Sequence, residues 1–191
     1  MDTLFPGPIS KLAQLVLADA QAAGLKVATA ESCTGGLVAA CLTDIAGSSA
    51  VVDAGFVTYS NEAKRAMLGV QGDLIADFGA VSEPVARAMA EGAIARSNAD
   101  VSVAITGVAG PGGGTPMKPV GLVHFATAKR GGRIMHDSHR FGDIGRHEVR
   151  LKSMDVALTM LLGRISGSLP ATGLAGLPAG ACCGQADGSL A

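Results

Sequence analysis

Two short, mainly apolar runs, residues 27–30 and 101–106, each stop abruptly at small and hydroxylated residues, ESCTGG after the first and GVAGPGGG after the second. An apolar run that does not alternate with polar residues fits a strand covered on both faces. Segments of helical periodicity precede, separate and follow these strands. They span about residues 10–23, 34–45, 82–97 and 146–164, with a shorter helix opened by Ser60 or Asn61. Residues 51–59, rich in Val, Phe, Thr and Tyr, read as a central strand, and residues 74–81 as a helix end followed by an extended link. Residues 120–128 and 133–141 read as a hairpin around the turn at 129–132. Strands alternating with helices and then a hairpin imply an α/β fold, a three-layer α/β/α sandwich with a mixed, partly parallel sheet.

The chain of 191 residues suits one domain. We expect it over residues 1–165, followed by a Gly/Ala/Pro-rich tail, 166–191, whose small side chains bury too little surface to offset ordering. Hydrophobic residues make up 48% of the chain but aromatics only 3%, so small aliphatic side chains must fill the core by close backbone approach. Fifteen basic residues oppose sixteen acidic ones, a formal charge of −1, which argues against a nucleic-acid or anionic-membrane partner. No leader or apolar span is apparent, and Cys33, Cys41, Cys182 and Cys183 have neither metal-knuckle nor CxxC spacing. A reducing cytoplasm is the simplest expected compartment, and a homo-oligomer stays open.

Ser32 follows the first buried strand at the carboxyl edge of the sheet, where ligands of α/β folds bind. The amides of the following helical turn can receive a carboxylate, a phosphate or a developing oxyanion. The plainer reading makes Ser32 or Thr34 an N-cap, Glu31 a solvated neighbour, and Gly35 and Gly36 packing residues. A serine needs an activating base. His124, His136, His139 and His147 are not spaced for a metal cluster or an ordered triad, and surface or packing roles suit them better.

Lys64 is the better candidate base. If the strand ending at Tyr59 lies parallel to the Ser32 strand, Tyr59 and Lys64 come near Ser32, and partial desolvation would lower the lysine pKa. Tyr59 could relay the proton or orient a ligand, or simply pack at the rim, and Lys64 could equally be a solvent-exposed charge. Cys33 is more nucleophilic by nature, but a neighbouring residue in a helical turn is rotated by about 100°, so we expect it to pack inward. The run Thr106 to Gly114 follows a second buried strand and can fold closely against an anion, although it matches neither a dinucleotide fingerprint nor a P-loop. Arg146, at a helix start, gains from meeting an anion, with Arg150 one turn later.

The segments TAESCTGG, LTDIAGSS, GFVTYSNEAK, GAVSEP, ITGVAGPGGG and KPVG together resemble the C-terminal domain of the competence/damage-inducible CinA family, including its standalone nicotinamide-nucleotide amidohydrolases. The resemblance covers about residues 12–165. It implies hydrolysis of nicotinamide mononucleotide to nicotinate mononucleotide and ammonia, with no cofactor and no metal. It also implies Ser32 as nucleophile, Tyr59 and Lys64 as activating partners, and Thr106 and Arg146 as polar groups of the active site. Thr34, Gly35, Gly107, Gly110, Gly112 and Gly113 are the further candidates for holding substrate, a small-molecule nucleotide. One departure is visible: the family often has FxGDR before the last helix, whereas this chain has FGDIGR, one residue longer. The alternative function is a non-catalytic pyridine-nucleotide or phosphate-binding module. A role in DNA uptake or repair rests on the family label alone.

Overall fold

The computed structural model describes residues 4–167. The expected tail lies almost wholly outside them. Five strands form one sheet: β1 (Val27–Glu31), β2 (Val52–Val57), β3 (Val101–Gly107), β4 (Leu122–Lys129) and β5 (Met135–Arg140), in the order β2-β1-β3-β4-β5. The pairs β1/β2 and β1/β3 are parallel, whereas β3/β4 and β4/β5 are antiparallel. Six helices flank it: α1 (Gly7–Ala22), α2 (Leu37–Thr43), α3 (Asn61–Leu68), α4 (Gly72–Phe78), α5 (Glu83–Ala95) and α6 (Arg146–Ser166). The mixed α/β architecture is the one expected, and the carboxyl ends of β1, β2 and β3 share one edge. Among the described residues, no helix is long and apolar enough to cross a membrane.

The two faces of the sheet are packed differently. On one, Val103, Ile105 and Phe125 meet Val16, Val38, Met154, Leu158 and Leu161 in a core formed with α1, α2 and α6. On the other, Ala28, Ala30, Ala104, Ala126 and Ala128 make a low surface against which Val85, Met89 and Ala93 of α5 and Leu68 of α3 settle. Small strand residues let helices approach closely and compensate for the scarcity of rings. The same economy recurs between helices, because Gly92 of α5 lies directly under the Leu68 carbonyl of α3 with no room for a Cβ.

Several local expectations are corrected. The strand at 51–59 is β2, an edge strand: its residues alternate between half-buried and exposed, with Asp53, Gly55 and Val57 the exposed ones. Its β-rich composition reported strand propensity but not position in the sheet. Helix α1 begins at Gly7 rather than after Ser10, since Pro8 fits the first turn and Ser10 is buried inside the helix, donating to the Phe5 carbonyl. Residues 74–81, by contrast, are as expected the end of a helix, α4, followed by a short non-helical link. Helix α2 starts three residues later than expected, after a turn over residues 33–36, and this delay shapes the site.

Candidate active site

Ser32 extends β1 by one residue, its amide donating to the Ile105 carbonyl of β3 at 3.0 Å. The chain then turns through Gly35 (φ +63) and Gly36 (φ +92), left-handed conformations that side chains rarely adopt. Glu31, treated as a solvated neighbour in the plainer reading, is instead fully buried. Its carboxylate accepts from the amides of Gly36, Val38 and Ala39 at 3.0, 3.1 and 2.8 Å, and from Thr29 Oγ1 at 3.2 Å. The amides of α2 that were expected to receive a ligand are therefore engaged by the chain's own carboxylate. A carboxylate ending a buried strand just before a Gly-Gly helix start was the available signal for this role.

Lys64 reaches Ser32 from α3, which Ser60 caps by accepting from the Ala63 amide at 3.0 Å. Its strand β2 pairs parallel with β1, as the sequence argument required. The lysine is only 1% exposed. Its Nζ lies 2.9 Å from Ser32 Oγ and donates to the Thr58 carbonyl at 2.7 Å. Desolvation lowers its pKa below the usual 10.5, opposed in part by the nearby Cys33 sulfur. Cys33 itself is packed inward, and burial pushes its thiol up to about 12. At neutral pH it is a protonated, poor nucleophile.

Ser32, Tyr59, Lys64, Thr106 and Arg146 line a cavity of about 300 Å³, together with Gly107, Gly110, Gly112 and Gly113. Cys33, Val108 and Ala109 also contribute to its wall, as do Asn61, Ala80 and Val81, which the sequence had not singled out. Thr106 steadies that wall by donating to the Ala80 carbonyl at 2.8 Å. Arg146 spans the mouth: Nη1 donates to the Gly110 carbonyl at 3.0 Å and Nη2 to Tyr59 Oη at 2.9 Å. Tyr59, 61% exposed, gives its hydroxyl oxygen to Arg146 at the rim, while Ser32 and Lys64 meet directly; of the roles open to it, orienting a group at the mouth fits this contact better than a relay between them.

Thr34 and Gly35, expected near substrate, do not line the cavity. Thr34 is buried with its carbonyl held by Arg150 at 2.9 Å, and Gly35 is exposed outside the pocket beside the same arginine. The turn that delays α2 carries both away from Ser32. A more open depression of about 490 Å³ near Glu62, Arg65 and Gln71 contains neither Ser32 nor Lys64, so the smaller cavity holds the reactive groups. His124 and His136 form a separate pair, Nδ1 to Nε2 3.0 Å, beside Glu83, and burial lowers the pKa of both.

Comparison with known proteins agrees with the arrangement of these elements. Over 145 residues the chain is 56% identical to a CinA-like protein of Mycolicibacterium gilvum (strain PYR-GCK), covering 76% of this chain and 34% of that protein. It thus spans about a third of the length of that relative. The crystal structure of competence/damage inducible protein CihA from Agrobacterium tumefaciens superposes with a TM-score of 0.84 at 56% identity, covering 86% of this chain and 99% of that one. The competence damage-inducible protein A (ComA) from Klebsiella pneumoniae subsp. pneumoniae MGH 78578 gives 0.78 at 37% identity, covering 83% and 97%. The CinA C-terminal domain matches residues 9–165, which include every described strand and both Ser32 and Lys64, and the chain therefore belongs to the CinA family.

Proposed function

We propose that this domain is an amidohydrolase that converts nicotinamide mononucleotide to nicotinate mononucleotide and ammonia. The observation that carries the reading is a buried lysine whose Nζ lies 2.9 Å from Ser32 Oγ, with only a neutral carbonyl as its other partner. No carboxylate pairs with this lysine among the ion pairs of the described residues, so nothing anionic holds its proton. Desolvation then favours the neutral amine, a competent general base.

In the proposed reaction Lys64 Nζ takes the proton from Ser32 Oγ as Oγ bonds to the carboxamide carbon. Collapse of the tetrahedral intermediate breaks the C–N bond, and the lysine proton passes to the leaving nitrogen, releasing ammonia. Water then gives a proton to Lys64 and attacks the ester carbon. The acyl carbon–Oγ bond breaks, Lys64 returns the proton to Ser32, and nicotinate mononucleotide departs. Since Glu31 engages the α2 amides, the phosphate is assigned to the Gly107–Gly113 side and Arg146, where a guanidinium reaches the mouth. Tyr59 holds that guanidinium in place. The substrate is a small-molecule nucleotide, the compartment the cytoplasm, and neither nucleic acid nor membrane is assigned as a partner.

The test is incubation of the purified protein with nicotinamide mononucleotide while following ammonia and nicotinate mononucleotide. Stoichiometric release of both is expected, and it should vanish in Ser32→Ala. Nucleotide binding without ammonia would overturn the reading in favour of a binding module.

A further inference from the structure

The serine–lysine contact depends on where the backbone places Ser32, and the residue before it makes more of that placement than its neighbours do. Strand alternation sends the Glu31 side chain to the sheet face opposite Ser32 Oγ. Glu31 therefore does not touch the cavity. Its backbone carbonyl accepts from the Thr58 amide at 2.8 Å, tying it to the segment whose next carbonyl contact is Lys64. Its carboxylate reaches forward across the turn to three amides of residues 36–39.

What lies between those two anchors is a turn with little rigidity of its own. Ser32 and Cys33 are followed by Thr34 and two left-handed glycines; two internal backbone bonds, Gly35 to the Ser32 carbonyl at 3.0 Å and Leu37 to the Thr34 carbonyl at 3.4 Å, close the turn, and Arg150 holds the Thr34 carbonyl from outside. Glycine gives such a turn its shape but also the largest freedom to leave it. The buried carboxylate removes that freedom by joining the end of β1 to the start of α2. It does so without an ion pair, its charge being met by N–H groups and the Thr29 hydroxyl. The negative charge consequently faces away from Lys64, which keeps no carboxylate partner.

We propose that Glu31 is a positioning residue that holds Ser32 Oγ within reach of Lys64 by clamping the 31–39 turn. The proposal rests on the amidohydrolase reading for its turnover readout, and a second readout is independent of substrate. Glu31→Gln sets an amide N–H₂ among N–H donors and so weakens the clamp while keeping the volume. Displacements near 1 Å at a reacting atom cost about 10²-fold. The variant should therefore lose roughly 30- to 100-fold in kcat per folded molecule, measured well below its melting temperature, with KM within about threefold.

The pH dependence should keep the wild-type position, because desolvation of Lys64 is untouched. Labelling of Ser32 by a small fluorophosphonate should slow by a similar factor. A purely structural role would lower the melting temperature and leave kcat per folded molecule, KM and labelling rate unchanged, which would overturn the proposal. Glu31→Asp, too short to span all three amides, should show the same pattern less severely and serves if the glutamine variant does not fold. Failure of both to fold would also overturn the proposal, making Glu31 a folding residue. Wild-type protein that labels at Ser32 but releases no ammonia would refute the amidohydrolase reading alone, with the labelling ratio still deciding the role of Glu31.

Discussion

The two segments that frame the cavity both follow buried strands and both carry glycines, yet they are held in opposite ways. The turn after β1 is clamped internally by a buried carboxylate, with Cys33 and Thr34 packed beneath it. The segment after β3 is fixed at its base, where the Val108 amide donates to the Leu122 carbonyl at 2.9 Å and the Gly121 amide to the Val108 carbonyl at 2.8 Å, and farther along by Arg146 on the Gly110 carbonyl and Lys118 on the Phe78 carbonyl. Its middle, residues 111–117, is exposed. Reacting groups gain from being ordered before substrate arrives, whereas a recognition loop can be ordered by the ligand it holds. Under the proposed function the Ser32 half of the cavity is the finished one, and the exposed glycine-rich half is the unfinished one that substrate would complete.

Changes in the finished half should have the largest effects. Ser32→Ala should lower kcat on the order of 10³-fold or more, with folding intact by circular dichroism. Lys64→Met should depress turnover by about 10²-fold or more while stabilising the fold, because a desolvated amine is replaced by an apolar chain. The sign follows from linkage: a lysine pKa lowered in the folded state means that the unfolded chain binds more protons, so wild-type stability rises with pH up to the usual 10.5. The stabilising effect of the methionine should accordingly shrink across that rise. Thermal melts of both proteins between pH 6 and about 10.5 would check it, and a constant difference would refute a depressed lysine pKa.

Arg146→Ala touches the unfinished half. KM for nicotinamide mononucleotide should rise by about 10- to 100-fold, as expected for one charge-assisted phosphate contact, while kcat and fluorophosphonate labelling of Ser32 change little. Tyr59→Phe, which frees the guanidinium without removing it, should raise KM only about two- to fivefold. A collapse of kcat in Tyr59→Phe would restore the proton relay that the geometry disfavors. Cys33→Ala should retain turnover within about threefold, and native Cys33 should resist iodoacetamide, since its thiol is buried with a pKa of about 12. Rapid alkylation with parallel loss of activity would make sulfur the nucleophile.

The smallest effect concerns the separate histidine pair, His124 and His136, on β4 and β5. Burial lowers both pKa values, and each ring also feels Glu83, which works in the opposite direction. Because the folded state resists protonation, this pair's contribution to stability should fall as pH drops below the ordinary 6.5 and be unchanged above it. His136→Gln should flatten the melting-temperature decline between pH 7 and 5, and an identical slope would remove the pair from the pH response.

Much of this site could be read from the chain because its reactive residues follow strand ends. Ser32 and Thr106 end buried strands, and Lys64 belongs to the helix just after β2, so parallel pairing was enough to bring them together. Tyr59 and Arg146 were harder, for their bond joins residues 87 positions apart and no local pattern reports it. Glu31 was misread for a different reason. A glutamate is ordinarily exposed, and its burial becomes favourable only once a delayed helix start turns three amides toward it. The edge position of β2 was equally hidden, since strand composition does not encode which neighbours a strand acquires.

Gly92 ties the two levels together. It lets α3 rest on α5 at Leu68, the last residue of the helix that carries Lys64. A methyl group there would lift α3 from its bed and draw the Lys64 amine back from Ser32. The reach of Lys64 toward Ser32 thus depends on a single hydrogen atom on a different helix.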